Sequence, residues 1–159
     1  ACEEAVRLLQ KDLPDIRSLR DVSPPDFNRL AAKLPREVEM RARHVVEEIE
    51  RSKQADALLE AGKIESFGRL MNQCHVSLRD LYEVSCPELD VMVRVAQTLA
   101  GCYGARLTGA GFGGCTVNLV ERDKAAEFAG SLAEGYETET GTRPEIYITR
   151  ASNGAELLE

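Results

Sequence analysis

Apolar residues recur with a helical period through roughly the first hundred positions and then switch to alternation. Val6, Leu8 and Leu9 lie among charges between Cys2 and Lys11, which reads as a helix end. Leu13 to Val22 is irregular, with a short strand expected around Ser18-Leu19-Arg20. Ser23-Pro24-Pro25-Asp26 signals a helix start, a capping hydroxyl ahead of proline in the first turn. A short helix through Phe27, Leu30 and Ala31 should follow. Pro35 opens a long helix to about Ala61, in which Val38, Ala42, Val45 and Ile49 form one apolar stripe. Glu37/Arg41, Glu39/Arg43 and Glu47/Arg51 are i,i+4 pairs in the favourable order, so this charge run reads as a solvated helix face. Gly62 suits the stop.

A further helix is predicted from about Ile64 to Tyr82, with Phe67, Leu70, Met71, Cys74, Leu78 and Leu81 inward. Ser85-Cys86-Pro87-Glu88 has the form of a capping box. The helix it starts presents Leu89, Met92, Val93, Ala96 and Leu99 on one face and ends at Gly101. From Tyr103 the period falls to two. Ala105 and Leu107 alternate with Arg106 and Thr108 in a short strand, Gly109 to Gly114 is a glycine-rich link, and Cys115 to Val120 is a second strand. Asp123 should cap a helix carrying Phe128, Ala129, Leu132 and Tyr136, closed by Gly141. Pro144 to Thr149 reads as a third strand, and the tail from Ala151 is polar.

Helices first, then strand, loop, strand, helix and strand, give an α+β fold. A hairpin followed by a helical crossover is half of a ferredoxin-like antiparallel sheet with helices packed on one face, and a strand near Ser18 would complete the split arrangement. The 159 residues suit a single domain, divided into a lead-in segment 1–35, helices 36–100 and the strand–loop–strand–helix–strand unit 101–150.

Charge and cysteine usage narrow the function. The net charge of −7 argues against a nonspecific nucleic-acid or anionic-membrane binder, and no apolar run approaches spanning length. It leaves phosphate ligands open, because backbone N–H groups bind phosphate without net positive charge. Ala1-Cys2-Glu3-Glu4 is acidic, lacks Met and reads as the inside of a helix. No signal peptide is therefore expected, and the chain reads as a piece of a longer protein, excised or processed. Five cysteines with no CxxC pair favour reduced, mostly buried thiols in a cytoplasmic protein. His44 and His75 lie on separate helical segments without an HExxH-like partner and read as surface or helix-packing residues rather than metal ligands.

The segment that carries chemistry is Gly104-Ala105-Arg106-Leu107-Thr108-Gly109-Ala110-Gly111-Phe112-Gly113-Gly114-Cys115. Glycine reaches positive φ without strain and lets a backbone approach a ligand closely, so such a loop can aim several N–H groups at an anion. It is not a Walker A loop, since no Gly-Lys-Ser/Thr follows, and not a dinucleotide fingerprint, since a strand rather than a helix comes next. A purely structural glycine-rich hairpin remains the competing reading. Arg79 and Asp80 read as an ion pair fixing a helix turn, Tyr82 and Tyr103 as packing groups, and Arg106 either faces solvent or reaches a phosphate.

Arg106 to Cys115 closely resembles the third conserved motif of the GHMP kinases, in the galactokinase form with phenylalanine between the glycines. His75-Val76-Ser77-Leu78-Arg79-Asp80-Leu81-Tyr82-Glu83-Val84-Ser85-Cys86-Pro87-Glu88-Leu89-Asp90 is similar to the helix pair that precedes that motif, and Cys2-Glu3-Glu4-Ala5 resembles a segment after the sugar-site tyrosine. The resemblance covers essentially the whole chain. It implies the carboxy-terminal domain of a kinase that transfers the ATP γ-phosphoryl group to the C1 hydroxyl of galactose with Mg²⁺. It also implies that the catalytic aspartate and arginine, the nucleotide loop, the magnesium ligand and most sugar contacts lie in an amino-terminal domain outside this sequence. No catalytic or metal-ligating residue is then expected here, and the chain alone should be inactive. Thr108, Gly109, Ala110, Gly111, Phe112, Gly113 and Gly114 would line the cleft near the ATP phosphates and the sugar, through backbone donation and close approach. Two alternatives stay open: a sugar and ATP sensor without catalysis, and a kinase for N-acetylgalactosamine or a related sugar.

Overall fold

The computed structural model describes residues 1–152. The elements are α1 (Cys2–Leu9), α2 (Pro24–Leu30), α3 (Arg36–Glu60), α4 (Ile64–Ser77), α5 (Pro87–Thr98), β1 (Cys102–Thr108), β2 (Cys115–Val120) and α6 (Ala125–Thr140). Short 3₁₀ turns cover Leu19–Asp21, Ala31–Lys33 and Arg122–Lys124, and a π-helical turn, Leu78–Tyr82, extends α4.

Several starts and stops follow local chemistry. The Ser23 Oγ accepts the Asp26 N–H at 3.2 Å, capping α2 with Pro24 and Pro25 behind it. Gly141 closes α6 at φ 72°. Two expected caps shift by one residue. Cys86, not Ser85, is the N-cap of α5, and the Ser85 hydroxyl instead donates to the Asp90 carboxylate at 2.6 Å. Asp123 falls inside a 3₁₀ turn, and Lys124 precedes α6. The strand expected near Ser18 is a 3₁₀ turn. The Asp21 carboxylate accepts the Arg17 and Ser18 N–H groups at 2.8 Å each, which curls the backbone there.

The sheet is α+β in character, a two-stranded antiparallel hairpin with helices against it. Ala105 pairs with Asn118 and Leu107 with Thr116, and Tyr103 is an extra residue at a bulge between Cys102 and Gly104. Pro144 to Thr149, expected as a third strand, joins no ladder among the described residues. Ile146 leans on the core, while Tyr147 and Ile148 are exposed. A strand needs a free edge, and one edge of this hairpin is already occupied by α4.

Two hydrophobic clusters form. Ala5, Leu9, Leu19, Phe27, Leu30, Ala42 and Val46 join α1, α2 and the first half of α3. Val93, Val95, Ala96, Ala105, Phe128 and Leu132 join α5, the hairpin and α6. Polar contacts join α3 to the end of α4 and the turn that follows it. The Arg41 guanidinium donates to the Leu81 carbonyl at 2.6 Å and pairs with Glu83. His44 hydrogen-bonds Ser77 at 2.9 Å and stacks on Tyr82 with ring centroids 4.5 Å apart. Of the ion pairs expected on α3, Glu39–Arg43 and Glu47–Arg51 form, whereas Arg41 leaves its helix for Glu83. The stripe of Val38, Val45 and Ile49 is only half-buried, because α3 turns Ala42, His44 and Val46 inward. The cysteines are unpaired, but only Cys74 is fully buried, and Cys115 is exposed.

The tightest packing is backbone on backbone, between α4 and β1. A Cβ on Gly68 would overlap the Tyr103 carbonyl and lie 2.8 Å from the Tyr103 Cβ, and a Cβ on Gly104 would overlap the Gly68 backbone. Gly68→Ala is therefore expected to destabilise by about 1–3 kcal/mol through forced overpacking. Gly130→Ala, in the open interior of α6, should stabilise by about 0.5–1 kcal/mol. Urea unfolding of the two variants checks both, and equal midpoints would contradict the close contact.

Candidate functional site

Close approach of α4 lets its side chains reach the edge of β1 that faces away from β2. The Ala105 N–H donates to Asn72 Oδ1 at 2.8 Å, and Asn72 Oδ1 also accepts from Gln97 at 2.9 Å. The Leu107 N–H donates to His75 Nδ1 at 3.3 Å. Helix side chains thus cap alternate N–H groups along what would be a bare strand edge. Because Nδ1 accepts, Nε2 carries the imidazole proton and faces Asp90 Oδ1 at 3.2 Å. His75 is 3% exposed. Burial holds its pKa below the ordinary histidine value, against the upward pull of Asp90.

β1 delivers the chain into the loop at Thr108, which is half-buried at its last position. Gly109, Gly111, Gly113 and Gly114 all take positive φ, and so does Phe112, at 57°. An L residue in that region stores about 1–2 kcal/mol. The loop is docked at one point, where the Phe112 N–H donates to the Val84 carbonyl at 2.7 Å. A Cβ on Gly111 would overlap that same carbonyl, so glycine is required there by space as well as by φ. Val84 is itself fixed, its N–H donating to the Leu78 carbonyl at 3.1 Å just after Glu83, which takes φ 55°.

The two segments singled out in sequence therefore touch: the residues after α4 hold the middle of the glycine loop. Among the described residues, Phe112 alone of Gly109–Gly114 commits its backbone N–H; the amides of Gly109, Ala110, Gly111, Gly113 and Gly114 remain unpaired. Ala110 and Gly114 are exposed, and Phe112 is 74% exposed. Such a run of open N–H groups can receive an anion without a cationic side chain.

Other singled-out residues take structural places. Arg79 and Asp80 form an exposed ion pair at 2.7 Å. Arg106 is half-buried, with Nη1 3.4 Å from the Leu107 carbonyl and 3.9 Å from Cys74 Sγ. Cys74, desolvated and hydrogen-bonded to Glu48, has its thiol pKa pushed up to about 12, which makes it a poor nucleophile. Sequence reasoning missed Asn72, His75, Ser85 and Asp90 as the supports of the loop. The available signal was polar Asn72 and His75 three positions apart among the inward residues of α4.

Residues 55–138 match the family model described as GHMP kinases C terminal. The chain is 55% identical over 153 residues to a galactokinase of Roseiflexus sp. (strain RS-1), covering 96% of this chain and 39% of that protein. It is 45% identical over 157 residues to a galactokinase of Homo sapiens, covering 99% of this chain and 38% of that protein. A solved Lactococcus lactis galactokinase complexed with galactose superimposes with a TM-score of 0.85 at 40% identity, over 89% of this chain and 37% of that one. The chain thus spans about two fifths of the length of the curated relatives it matches.

Two outcomes follow from the geometry. Gly111→Ala should push Val84 aside and cost at least the roughly 1–2 kcal/mol of its positive φ. Gly113→Ala, with open space around it, should bear strain alone. Hydrogen exchange across residues 108–114 separates them, because only the first should expose the Phe112 amide. Stability should also fall with pH. Burial lowers the pKa of both His44 and His75, so below the ordinary histidine range near 6.5 the unfolded chain binds more protons than the folded one. Stability is full above that range and declines as pH drops through it toward the lowered values. Urea midpoints at pH 7.5, 6.5 and 5.5 check this, and a flat profile would contradict it.

Proposed function

This chain belongs to the GHMP kinase family, and we propose that it is the carboxy-terminal part of a galactokinase whose full-length form phosphorylates the C1 hydroxyl of galactose from ATP. The observation that carries the reading is the docked glycine loop: one amide fixed to Val84, its neighbours open, and Phe112 exposed on strained backbone. Phosphoryl transfer depends on positioning and charge stabilisation more than on covalent chemistry. A loop that presents backbone N–H groups at a set spacing supplies the first of these. In this reading Thr108, Gly109, Ala110, Gly111, Phe112, Gly113 and Gly114 line the cleft beside the ATP phosphates and the sugar, and the exposed Phe112 ring meets the amino-terminal domain or a ligand there.

The remaining roles go to the rest of the full-length protein. Among the described residues, no group of three or more His, Cys, Asp or Glu could hold a metal ion. In this reading the magnesium that accompanies ATP is held by the amino-terminal domain, and no step is routed through it here. The chain acts as one carboxy-terminal unit, with 1–35 leading in, helices over 36–100 and the loop-bearing unit at 101–150. Its partners are that domain, galactose and ATP. No helix among the described residues is long and apolar enough to cross a membrane, and we assign the protein to the cytoplasm on its unpaired thiols.

ADP release by the full-length protein with ATP, Mg²⁺ and galactose, beside this chain alone, tests the reading. Turnover by the full-length protein and none by the chain is expected. Sugar and ATP binding without turnover would replace the kinase with a sensor. Turnover on N-acetylgalactosamine in preference to galactose would change the substrate.

A further inference from the structure

The supports of the glycine loop form a circuit that fold stability does not by itself require. The Leu107 N–H donates to His75 Nδ1 at 3.3 Å, two residues before the first glycine of the loop. On the opposite side of the ring, Nε2–H meets Asp90 Oδ1 at 3.2 Å. The same oxygen accepts the Ser85 hydroxyl at 2.6 Å. Ser85 follows Val84, whose carbonyl holds the Phe112 N–H at 2.7 Å. The chain of contacts thus leaves β1 just before the loop, passes through α4 and the start of α5, and returns to the loop at its centre.

We propose that His75 and Asp90 are positioning residues, forming a partly buried relay that fixes the glycine loop at Leu107 and Phe112 so that its open amides face the nucleotide phosphates. The proposal rests on the reading that this loop lines the nucleotide cleft. The relay itself is independent of that reading, because it is defined by hydrogen bonds within the chain.

An acceptor for the Leu107 N–H is needed in any case, since an unpaired buried amide costs about 1–3 kcal/mol. A side chain with one acceptor, such as the Asn72 that serves Ala105, would satisfy that need. His75 does more: its second nitrogen engages a carboxylate on another helix, and that carboxylate engages the residue beside the loop's anchor. The groups that face the imidazole are Asp90 from α5, with Arg79 and Asp80 from the π-helical turn after α4. Only Asp90 is within hydrogen-bond distance. Polar links of this kind hold position when every member is satisfied, and losing one member frees the rest.

The test uses the full-length protein. His75→Asn keeps an acceptor near the place of Nδ1 but loses reach to Asp90. Asp90→Ala cuts the same link from the other side, and Asp90→Asn keeps an acceptor oxygen. The first two variants are expected to lower kcat/KM for ATP by about tenfold, as one lost buried hydrogen bond implies, with the KM for galactose nearly unchanged. Hydrogen exchange over residues 108–114 should rise in both and stay at the parent level in α6. The double variant should be no worse than either single one, since both remove one link, and Asp90→Asn should recover most of the loss. Additive losses that follow the melting temperature, or unchanged loop exchange in a stably folded variant, would overturn the relay. If the parent shows no turnover, the kinase reading fails, and loop exchange still decides the relay on its own.

Discussion

The backbone contact between Gly68 and Gly104 sets everything that follows at the loop. A helix usually stands off a strand by the length of its side chains. Here the missing Cβ atoms let α4 settle against the bulge at Tyr103. Only at that separation can the short Asn72 side chain reach the Ala105 amide. The helix advances about 4.5 Å from residue 72 to 75, while the strand advances about 6.8 Å from 105 to 107. A longer side chain is therefore needed at the second position, and the imidazole of His75 spans the difference. The bulge, the glycine pair and the two polar residues are one arrangement, and removing the close approach would strand the others.

The same constraint shapes the sheet. With α4 along one edge of β1 and β2 along the other, the hairpin can grow only beyond β2. Pro144 to Thr149 has the composition of a strand but does not take that place in the described residues. Ile146 instead rests half-buried against the α5–α6 core, and Tyr147 and Ile148 stay exposed. Composition indicates that a segment tolerates extended backbone, and only the arrangement of free edges determines whether it joins a sheet.

Much of the architecture was legible because hydrophobic period and turn chemistry act locally. The Ser23 cap, the Gly141 stop, the hairpin strands and the helices all follow from neighbouring residues. The glycine loop was legible as a candidate site by its composition and by its resemblance to a known motif. What sequence could not give was the meaning of buried polar residues. Periodicity counts His44, Asn72 and His75 as interruptions of an apolar face, whereas the fold uses them as its joints. Likewise Ser85 looked like a cap because a serine three residues before a glutamate often is one. Its hydroxyl went instead to Asp90, a partner defined by the turn into α5.

In the proposed reading, these joints let an acidic chain serve a polyanionic ligand. With a net charge of −7 and no charged side chain between Gly109 and Gly114, long-range attraction is not what this part contributes. Arg106, the nearest cation in sequence, is half-buried against Cys74 and the Leu107 carbonyl. What remains is shape. Amides held in fixed directions act at short range, where the dipole of each N–H matters more than the net charge of the domain. Such a device works only if the loop does not relax, because a mobile amide gains little from an anion it must first be ordered around. The Phe112 N–H bonded to the Val84 carbonyl, a glycine wedged on Val84 and a buried histidine holding Leu107 each restrict that relaxation. In the proposed reading the chain therefore contributes backbone position, and charge and metal come from the amino-terminal part of the full-length protein.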